Sequence, residues 1–137
     1  MTIELNPEQQ KVYTNLVKLA CEIEGAMAIV VVSDEPAQIK CAIDNRLPYL
    51  ANLPKMMEGA VAIHDWAKGE VAKEMLADNR LYEAKQAIQI RYIEGRIAKY
   101  SALYERINSL HSTLKLSIEG LRSLLSYEKQ FSFQPQK

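Results

Sequence analysis

The sequence predicts a mostly α-helical protein that forms a single domain. Glycine and proline number only five each in 137 residues, and 48% of the residues are apolar, which is enough for one buried core. Over residues 55–76 and again over residues 93–125, apolar side chains recur every three or four positions, the period of an amphipathic helix. These features predict helices joined by short breaks, with one long helix at the C-terminal end.

The first helix is predicted from the signals at its start. Asn6 is a favourable N-cap residue, Pro7 suits the first helical position, and Glu8 places a negative charge in the first turn. Leu5 can pack back on the first turn as a hydrophobic staple, and Gly25 can end the helix. We therefore expect a helix over residues 7–25.

The run AMAIVVV at residues 26–32 has the β-branched composition of a short strand. A lone strand must pair with another, so a strand here predicts a β-ribbon formed with a second copy of the chain. A buried helical segment is the alternative that the same run allows. Residues 33–45 then carry the capping and proline signals of a short helix.

Two prolines divide the chain. Pro48 and Pro54 each disfavour helix at the preceding residue, so the N-terminal segment is predicted to end at residue 54. Another helical pattern follows, and the sequence ADNR at residues 77–80 is the next break signal. The predicted organisation is a helix–strand–helix segment at 1–54, a helical oligomerisation and nucleic-acid-binding region at 55–130, and a flexible tail at 131–137.

The last helix is predicted over residues 81–127, where only Gly95 and Gly120 weaken it. A helix of roughly 45 residues is about 70 Å long, whereas a compact chain of this size has a radius of gyration near ~14 Å. Either the helix breaks near Gly95, or its excess length packs against another subunit, which we favour. The predicted oligomer interface consists of Tyr100, Tyr104, Ile107, His111, Leu114, Ile118, Leu121 and Leu125. Within it, His111 is expected to be a buried polar residue that fixes the register.

The formal net charge of zero conceals two oppositely charged regions. Residues 1–35 contain two cations and six anions, whereas residues 84–129 contain eight cations and four anions. Tyrosines alternate with the cations of the basic region, a combination typical of single-strand binding because cations neutralise phosphates and rings stack on bases. The candidate nucleic-acid contacts are Arg80, Lys85, Arg91, Arg96, Lys99, Arg106, Lys115, Arg122 and Lys129. A solvated basic face, with its tyrosines packed in a core or an interface, is the alternative interpretation.

The sequence offers little support for catalysis. His64 and Asp65 resemble part of a metal-dependent phosphohydrolase site, but the second histidine, His111, lies on a different apolar stripe. Glu70 and Glu74 lie one turn apart, as in helical metal sites, although the same spacing suits surface ion pairs with neighbouring lysines. We therefore expect no enzymatic activity, no cofactor and no bound metal.

The apolar segments are too short to predict a membrane protein. The longest apolar run has seven residues, and a helix needs about 20 to span a bilayer. The first ten residues contain neither a basic patch nor an apolar stretch, so no signal peptide is expected. A cytoplasmic location is the resulting expectation.

The block SLHSTLKLSIEGLRSLLSYEKQ, at residues 109–130, resembles the C-terminal helix of the UvsY-type recombination mediators of T-even-like phages. The matching hydrophobic–acidic–small–hydrophobic–basic–Ser string is Ile118, Glu119, Gly120, Leu121, Arg122 and Ser123. Upstream, NRLYEAK is similar to a basic–Leu–x–Tyr element of that family: Arg80 and Leu81 match it, and Tyr82 falls one place early. The resemblance covers residues 55–130.

The resemblance implies a non-catalytic, homo-oligomeric accessory protein of phage type that binds single-stranded DNA and helps a recombinase displace single-strand-binding protein. It implies that Arg80 contacts DNA and that residues 118–123 belong to the assembly helix. The expected partners are further copies of the chain, single-stranded DNA and a recombinase or single-strand-binding protein, within the host cytoplasm. The alternatives are a phage-encoded inhibitor or assembly factor, a small helical subunit of a nucleoprotein effector complex and, last, a helical metal-dependent hydrolase.

Overall fold

The computed structural model describes residues 1–28 and 35–133, with side chains described up to residue 130. These residues form helices α1 (Pro7–Met27), α2 (Pro36–Ala77), α3 (Asn79–Tyr82) and α4 (Gln86–Phe133). Neither range contains a strand, so the predicted mostly α fold with a long last helix is confirmed. Within the run proposed as a strand, Ala26 and Met27 are helical, and residues 29–32 lie outside the described part of the chain.

Helices α2 and α4 form a long antiparallel hairpin, and α1 packs along its middle. With 42 and 48 residues, α2 and α4 are about 63 and 72 Å long, whereas the 21 residues of α1 span about 31 Å. The accessible surface is 9570 Å². A compact monomer of the same mass exposes about 7300 Å². The fold is therefore a three-helix rod whose two ends extend beyond α1.

The start of α1 follows the prediction. The Asn6 side chain accepts a hydrogen bond from the backbone N–H of Gln9 at 2.8 Å. The Gln9 side chain accepts one from the backbone N–H of Asn6 at 3.1 Å, which completes a capping box. Pro7 is the first helical residue, as predicted, and the helix continues two residues beyond Gly25.

Helix α2 runs without interruption through both prolines, so the predicted helix break between residues 45 and 55 is wrong. A proline inside a helix removes one hydrogen bond and costs about 3 kcal/mol. Pro48 and Pro54 both lie on the exposed side of α2. The adjacent turns bury Leu53 and Met56, which are 1% and 3% exposed. Burying one such side chain contributes about 1.5–3 kcal/mol, so packing offsets the proline penalty.

The core is a seam of buried residues between the three helices. Its side chains on α2 and α4 recur every three or four positions, as in a coiled coil, and α1 adds a shorter row. The fully or nearly fully buried members are Leu16, Ala20, Ile23, Ile39, Ile43, Leu53, Met56, Ala60, Ile63, Ala67, Val71, Ile97, Tyr100, Leu103, Ile107, Leu110, Leu114 and Ile118. Ile3, which precedes α1, is also buried.

The break signal at residues 77–80 is confirmed, because α2 ends at Ala77 and the single-turn helix α3 follows. Asp78 caps α3 by accepting a hydrogen bond from the backbone N–H of Arg80 at 3.0 Å. Helix α4 begins at Gln86, five residues later than predicted, and passes through Gly95 without a break. Its partner along most of its length is α2 of the same chain.

Replacing Gly120 with alanine is expected to stabilise the protein. A Cβ added at Gly120 meets no atom within 4 Å, so the substitution gains helix propensity at no steric cost. The expected gain in the free energy of unfolding is about 0.5–1 kcal/mol, measured by chemical denaturation. The matched control is Gly25→Ala, which is equally open but lies in the last turn of α1, where the gain should be smaller. A loss of stability on Gly120→Ala would contradict this expectation.

Candidate nucleic-acid interface

The structure divides the nine predicted nucleic-acid contacts into three groups along the rod. Three central cations, Arg96, Lys99 and Arg106, contact groups of the chain's own N-terminal segment or α2. Three further cations lie on one exposed face near the C-terminal end of α4, and we call Lys115, Arg122 and Lys129 the basic stripe. The other three lie in the tip of the hairpin, which we define as residues 72–95.

Arg96 connects three parts of the chain. Its guanidinium donates to Glu74 on α2 through Nη2 at 2.6 Å and through Nε at 3.2 Å. Nη1 donates to the backbone carbonyl of Met1 at 2.6 Å, and the carbonyl of Arg96 accepts from the N–H of Ile3 at 2.9 Å. The side chain is only 18% exposed. Arg96 therefore stabilises the fold, and its charge is neutralised within the chain.

The same cluster shifts the pKa values of its members. The hydrogen bond from Arg96 lowers the pKa of Glu74, and one from the Tyr92 hydroxyl at 3.0 Å acts in the same direction. Burial raises the pKa of Tyr92, and so does its hydrogen bond to the Glu74 carboxylate. The cluster thus holds Glu74 in its ionised form.

The two other central cations contact α1. Arg106 donates through Nε to Glu24 at 2.8 Å, and its Nη2 lies 3.3 Å from the Cys21 sulfur. The Lys99 ammonium lies 4.7 Å from the centre of the Tyr13 ring, a cation–π contact. Tyr13 in turn packs edge-to-face on Tyr100, with ring centres 5.7 Å apart. These contacts hold α1 against α4. Lys99 and Arg106 are therefore engaged within the chain and are poorly placed to bind a phosphate.

The basic stripe is available to a ligand. Lys115, Arg122 and Lys129 are exposed, and none of them forms an ion pair with another described residue. Their seven-residue spacing places them on one face of α4, about 10 Å apart along the axis. Residues 111–130 hold these three cations and two anions, Glu119 and Glu128. The stripe is therefore a row of positive charge on a helix with a small positive excess.

The tip does not form a positive surface. Arg80, Lys85 and Arg91 are exposed, as a phosphate contact requires. They are accompanied by Asp78, Glu83 and Glu94, which form no ion pair with the described residues either. With Lys73 and Glu74 included, the tip holds four cations and four anions, so it lacks the excess charge that attracts a polyanion.

Only some of the tyrosines in the basic region are placed for stacking on bases. Tyr82 in the tip and Tyr127 near the basic stripe are 61% and 56% exposed. Tyr100 is 3% exposed, and burial raises its pKa. Its hydroxyl donates to the backbone carbonyl of Ile3. Tyr104 stacks on His64, with ring centres 5.9 Å apart. Tyr100 and Tyr104 therefore pack within the protein, as the alternative interpretation of the basic region describes.

The predicted oligomer interface coincides largely with the core of the single chain. Tyr100, Ile107, Leu114 and Ile118 are 3%, 0%, 0% and 1% exposed, so a second subunit cannot reach them while the hairpin is closed. Tyr104, Leu121 and Leu125 are half-buried. His111, the polar residue expected within that interface, is exposed on the single chain. The apolar row of α4 was predicted correctly, but α1 and α2 of the same chain cover most of it.

The hairpin brings His64 close to a serine that no sequence pattern indicates. His64 Nε2 lies 3.1 Å from Ser101 Oγ on α4, and Nδ1 lies 3.5 Å from the Asp65 carboxylate. A serine nucleophile also needs donors for the oxyanion, and here the surrounding backbone N–H groups lie inside α2 and α4, where they donate within the helix. Asp65 is moreover 70% exposed. The contact therefore serves to join α2 to α4.

The carboxylates considered for a metal are used in ion pairs. Glu70 accepts from Lys73 at 3.0 Å, which is the surface pairing that the spacing allowed. Glu74 pairs with Arg96. Within residues 1–28 and 35–133, no three His, Cys, Asp or Glu side chains are grouped as metal ligands.

A groove of about 500 Å³ lies between α1 and α2, beside the exposed face of Val12. Its lining residues are Glu8, Gln9, Val12, Lys55, Glu58, Gly59, Ala62 and Ile63. This lining contains no serine, cysteine or histidine, so a molecule bound there would meet no nucleophile of these types.

Fold and site together define a class: an elongated three-helix protein with a cationic row at one end and an uncovered tip at the other. Compared with known proteins, the chain matches no protein family, no curated protein and no solved structure. In the described part of the chain, none of the helices combines the length and the apolar character needed to cross a membrane.

Proposed function

We propose that this protein is a non-catalytic accessory protein that binds single-stranded DNA through the basic stripe of α4. The carrying observation is that Lys115, Arg122 and Lys129 share one exposed face and have no ion-pair partner among the described residues. Cations in this state can bind backbone phosphates without first giving up an internal contact. The resemblance to recombination mediators, which includes Arg122, supports the same function.

The proposal concerns backbone contacts, with little sequence specificity. Lysine and arginine on phosphates fix the position of a strand but do not read its bases. Tyr127, which is 56% exposed near the stripe, supplies one ring on which a base can stack. The proposal includes a recombinase or a single-strand-binding protein as a further partner only because the resemblance implies one.

The test is a fluorescence-anisotropy titration of a labelled single-stranded oligonucleotide at several salt concentrations. Each phosphate contact to a single strand contributes about −0.7 to the slope of log K against log salt. The triple variant Lys115→Ala/Arg122→Ala/Lys129→Ala should therefore flatten the slope by about 2 and weaken binding at low salt. Competition with an unlabelled duplex tests the preference for single strands.

The tip supplies a matched control for this experiment. The triple variant Arg80→Ala/Lys85→Ala/Arg91→Ala removes the same charge from positions that are also exposed, and it should leave the slope nearly unchanged. A flattened slope in the control alone would place the DNA site at the tip, as the resemblance implies for Arg80. If the unmodified protein fails to bind at low salt, the proposal is wrong.

A second candidate function, a protein-interaction module, is favoured by one separate observation. Four large apolar side chains, those of Leu76, Tyr82, Ile88 and Ile90, are exposed within the tip. Such a protein would ignore DNA in the titration and would act by capturing a protein partner.

A further inference from the structure

The residue one turn before the basic stripe on α4 is a histidine, His111. Residues four apart on a helix are surface neighbours, with Cβ atoms about 6 Å apart, so His111 adjoins Lys115. Both side chains are exposed. Arg122 and Lys129 follow His111 after about three and about five full helical turns. His111 therefore extends the row of the basic stripe by one turn toward the middle of the rod.

The two histidines of the chain have different surroundings. His64 lies between helices, where its Nε2 is 3.1 Å from Ser101 Oγ and its ring stacks on Tyr104. His111 forms no hydrogen bond, ion pair or ring contact with another described residue. Both nitrogens of the His111 ring are therefore available to an external ligand.

The charges of α4 and α1 do not compete for His111. The nearest carboxylates along α4 are Glu105 and Glu119, each more than one turn away from it, so neither is its i,i+4 neighbour. On the side that faces α1, Arg106 donates to Glu24. Arg106 precedes His111 by a spacing that corresponds to about 140° around the helix, so His111 faces away from α1.

The charges of α2 near His111 also face elsewhere. Because His64 contacts Ser101 across the antiparallel hairpin, His111 lies at the level of the α2 residues about ten positions before His64. The charged residues of α2 within one turn of that level are Lys55 and Glu58. Both line the groove between α1 and α2. No described carboxylate of α2 is therefore placed to hold the His111 imidazole.

The chemistry of imidazole makes this position different from the rest of the basic stripe. Histidine is the residue type whose side chain gains a positive charge as the pH falls from about 8 to about 5. The protonated ring offers two N–H donors and a charge, whereas the neutral ring offers one donor and no charge. An anionic phosphate close by favours the charged form. A strand bound along Lys115, Arg122 and Lys129 would bring such phosphates close to His111.

Building on the proposed function, we propose that His111 is a fourth phosphate contact of the basic stripe, formed only when its imidazole is protonated. The site then presents three cations at about pH 8 and four at about pH 5.5. Its affinity for single-stranded DNA rises as the pH falls, and binding of a strand is coupled to uptake of a proton by His111.

The experiment is an anisotropy titration of a labelled oligodeoxythymidylate at about pH 8 and at about pH 5.5, each at several salt concentrations. Thymine gains no proton in this range, so the strand itself does not change. The slope of log K against log salt should be steeper by about 0.7 at the lower pH. The same slope predicts an affinity ratio of about eightfold at ~50 mM salt, which shrinks to about one near ~1 M.

Variants of the two histidines assign the effect. His111→Gln should bind equally at both pH values, with the weaker affinity that the parent has at the higher pH. His111→Lys, which carries a permanent charge, should bind at the higher pH as tightly as the parent does at the lower one. The matched control His64→Gln should keep the pH dependence of the parent. Circular dichroism verifies that each variant keeps the helix content of the parent at both pH values.

The outcomes separate this inference from the proposed function. If the parent binds in a salt-dependent way but equally well at both pH values, His111 is not a contact, and the proposed function stands without it. A pH dependence that persists in His111→Gln, or that disappears in His64→Gln, would also overturn the role of His111. If the parent binds at neither pH, the proposed function is wrong, and this inference falls with it.

Discussion

Replacing Ile107 with alanine is expected to lower the free energy of unfolding by about 3.5 kcal/mol, the middle of the range for large-to-small changes in a core. Ile107 is 0% exposed on α4, next to Arg106, which donates to Glu24 on α1. Truncating it removes apolar contacts and leaves a cavity that the tightly packed neighbours cannot fill. The measurement is urea denaturation followed by circular dichroism.

The control for Ile107 is Leu116 on the same helix. Leu116→Ala should change stability by less than about 0.5 kcal/mol, because the side chain is 68% exposed. If Ile107 were a contact between subunits, as the sequence predicts, Ile107→Ala would change the mass of the assembly and make the melting temperature more dependent on concentration. We expect Ile107→Ala to leave the mass of the assembly unchanged and to cause a large loss of stability. A changed mass with little loss of stability would contradict the structure.

The elements with strong local signals were predictable. The capping box of α1 begins at Asn6, and the break at residues 77–80 separates α2 from α4. The apolar stripe of α4 is also where the sequence placed it. In each case the signal lies within a few residues of the feature, so no knowledge of the rest of the fold was needed.

The helix that covers the apolar row of α4 was not predictable from local signals. Pro48 and Pro54 indicate a break in α2, and with α2 broken, no element of the chain is long enough to cover α4. Oligomerisation then follows as the explanation for the length of α4. In the structure, burial of residues such as Leu53 overrides the local preference, and α2 becomes nearly as long as α4. The two prolines thus concealed the element of the same chain that packs along α4.

The candidate site was predicted in part, and the error again concerns distant contacts. Spacing identified Lys115, Arg122 and Lys129 as one face, which the helix preserves. Spacing could not show that Arg106 pairs with Glu24, a residue 82 positions away, or that Arg96 reaches the carbonyl of Met1. The sequence places Ile88 at the edge of the apolar stripe, but in the structure this side chain is 52% exposed.

Replacing Arg96 with methionine is expected to cost about 2 kcal/mol of stability, the second largest effect among these substitutions. Methionine keeps the apolar stem but removes the charged hydrogen bonds to Glu74 and the bond to the Met1 carbonyl. The Glu74 carboxylate, which is 37% exposed, keeps part of its hydration, and this limits the loss. The control is Arg122→Met, which should change stability by less than about 0.5 kcal/mol.

The dependence on pH separates the ion pair from simple packing. Because Arg96 lowers the pKa of Glu74 in the folded protein, ionised Glu74 stabilises the fold above its ordinary pKa of 4.5. This contribution disappears as the pH falls through the lower pKa of the folded state, where the carboxylate takes up a proton. The gap in stability between the parent and Arg96→Met should therefore be widest near neutral pH and should narrow in acid. A gap that stays constant down to about pH 2 would mean that Arg96 acts through packing and its bond to Met1, without a contribution from the Glu74 charge.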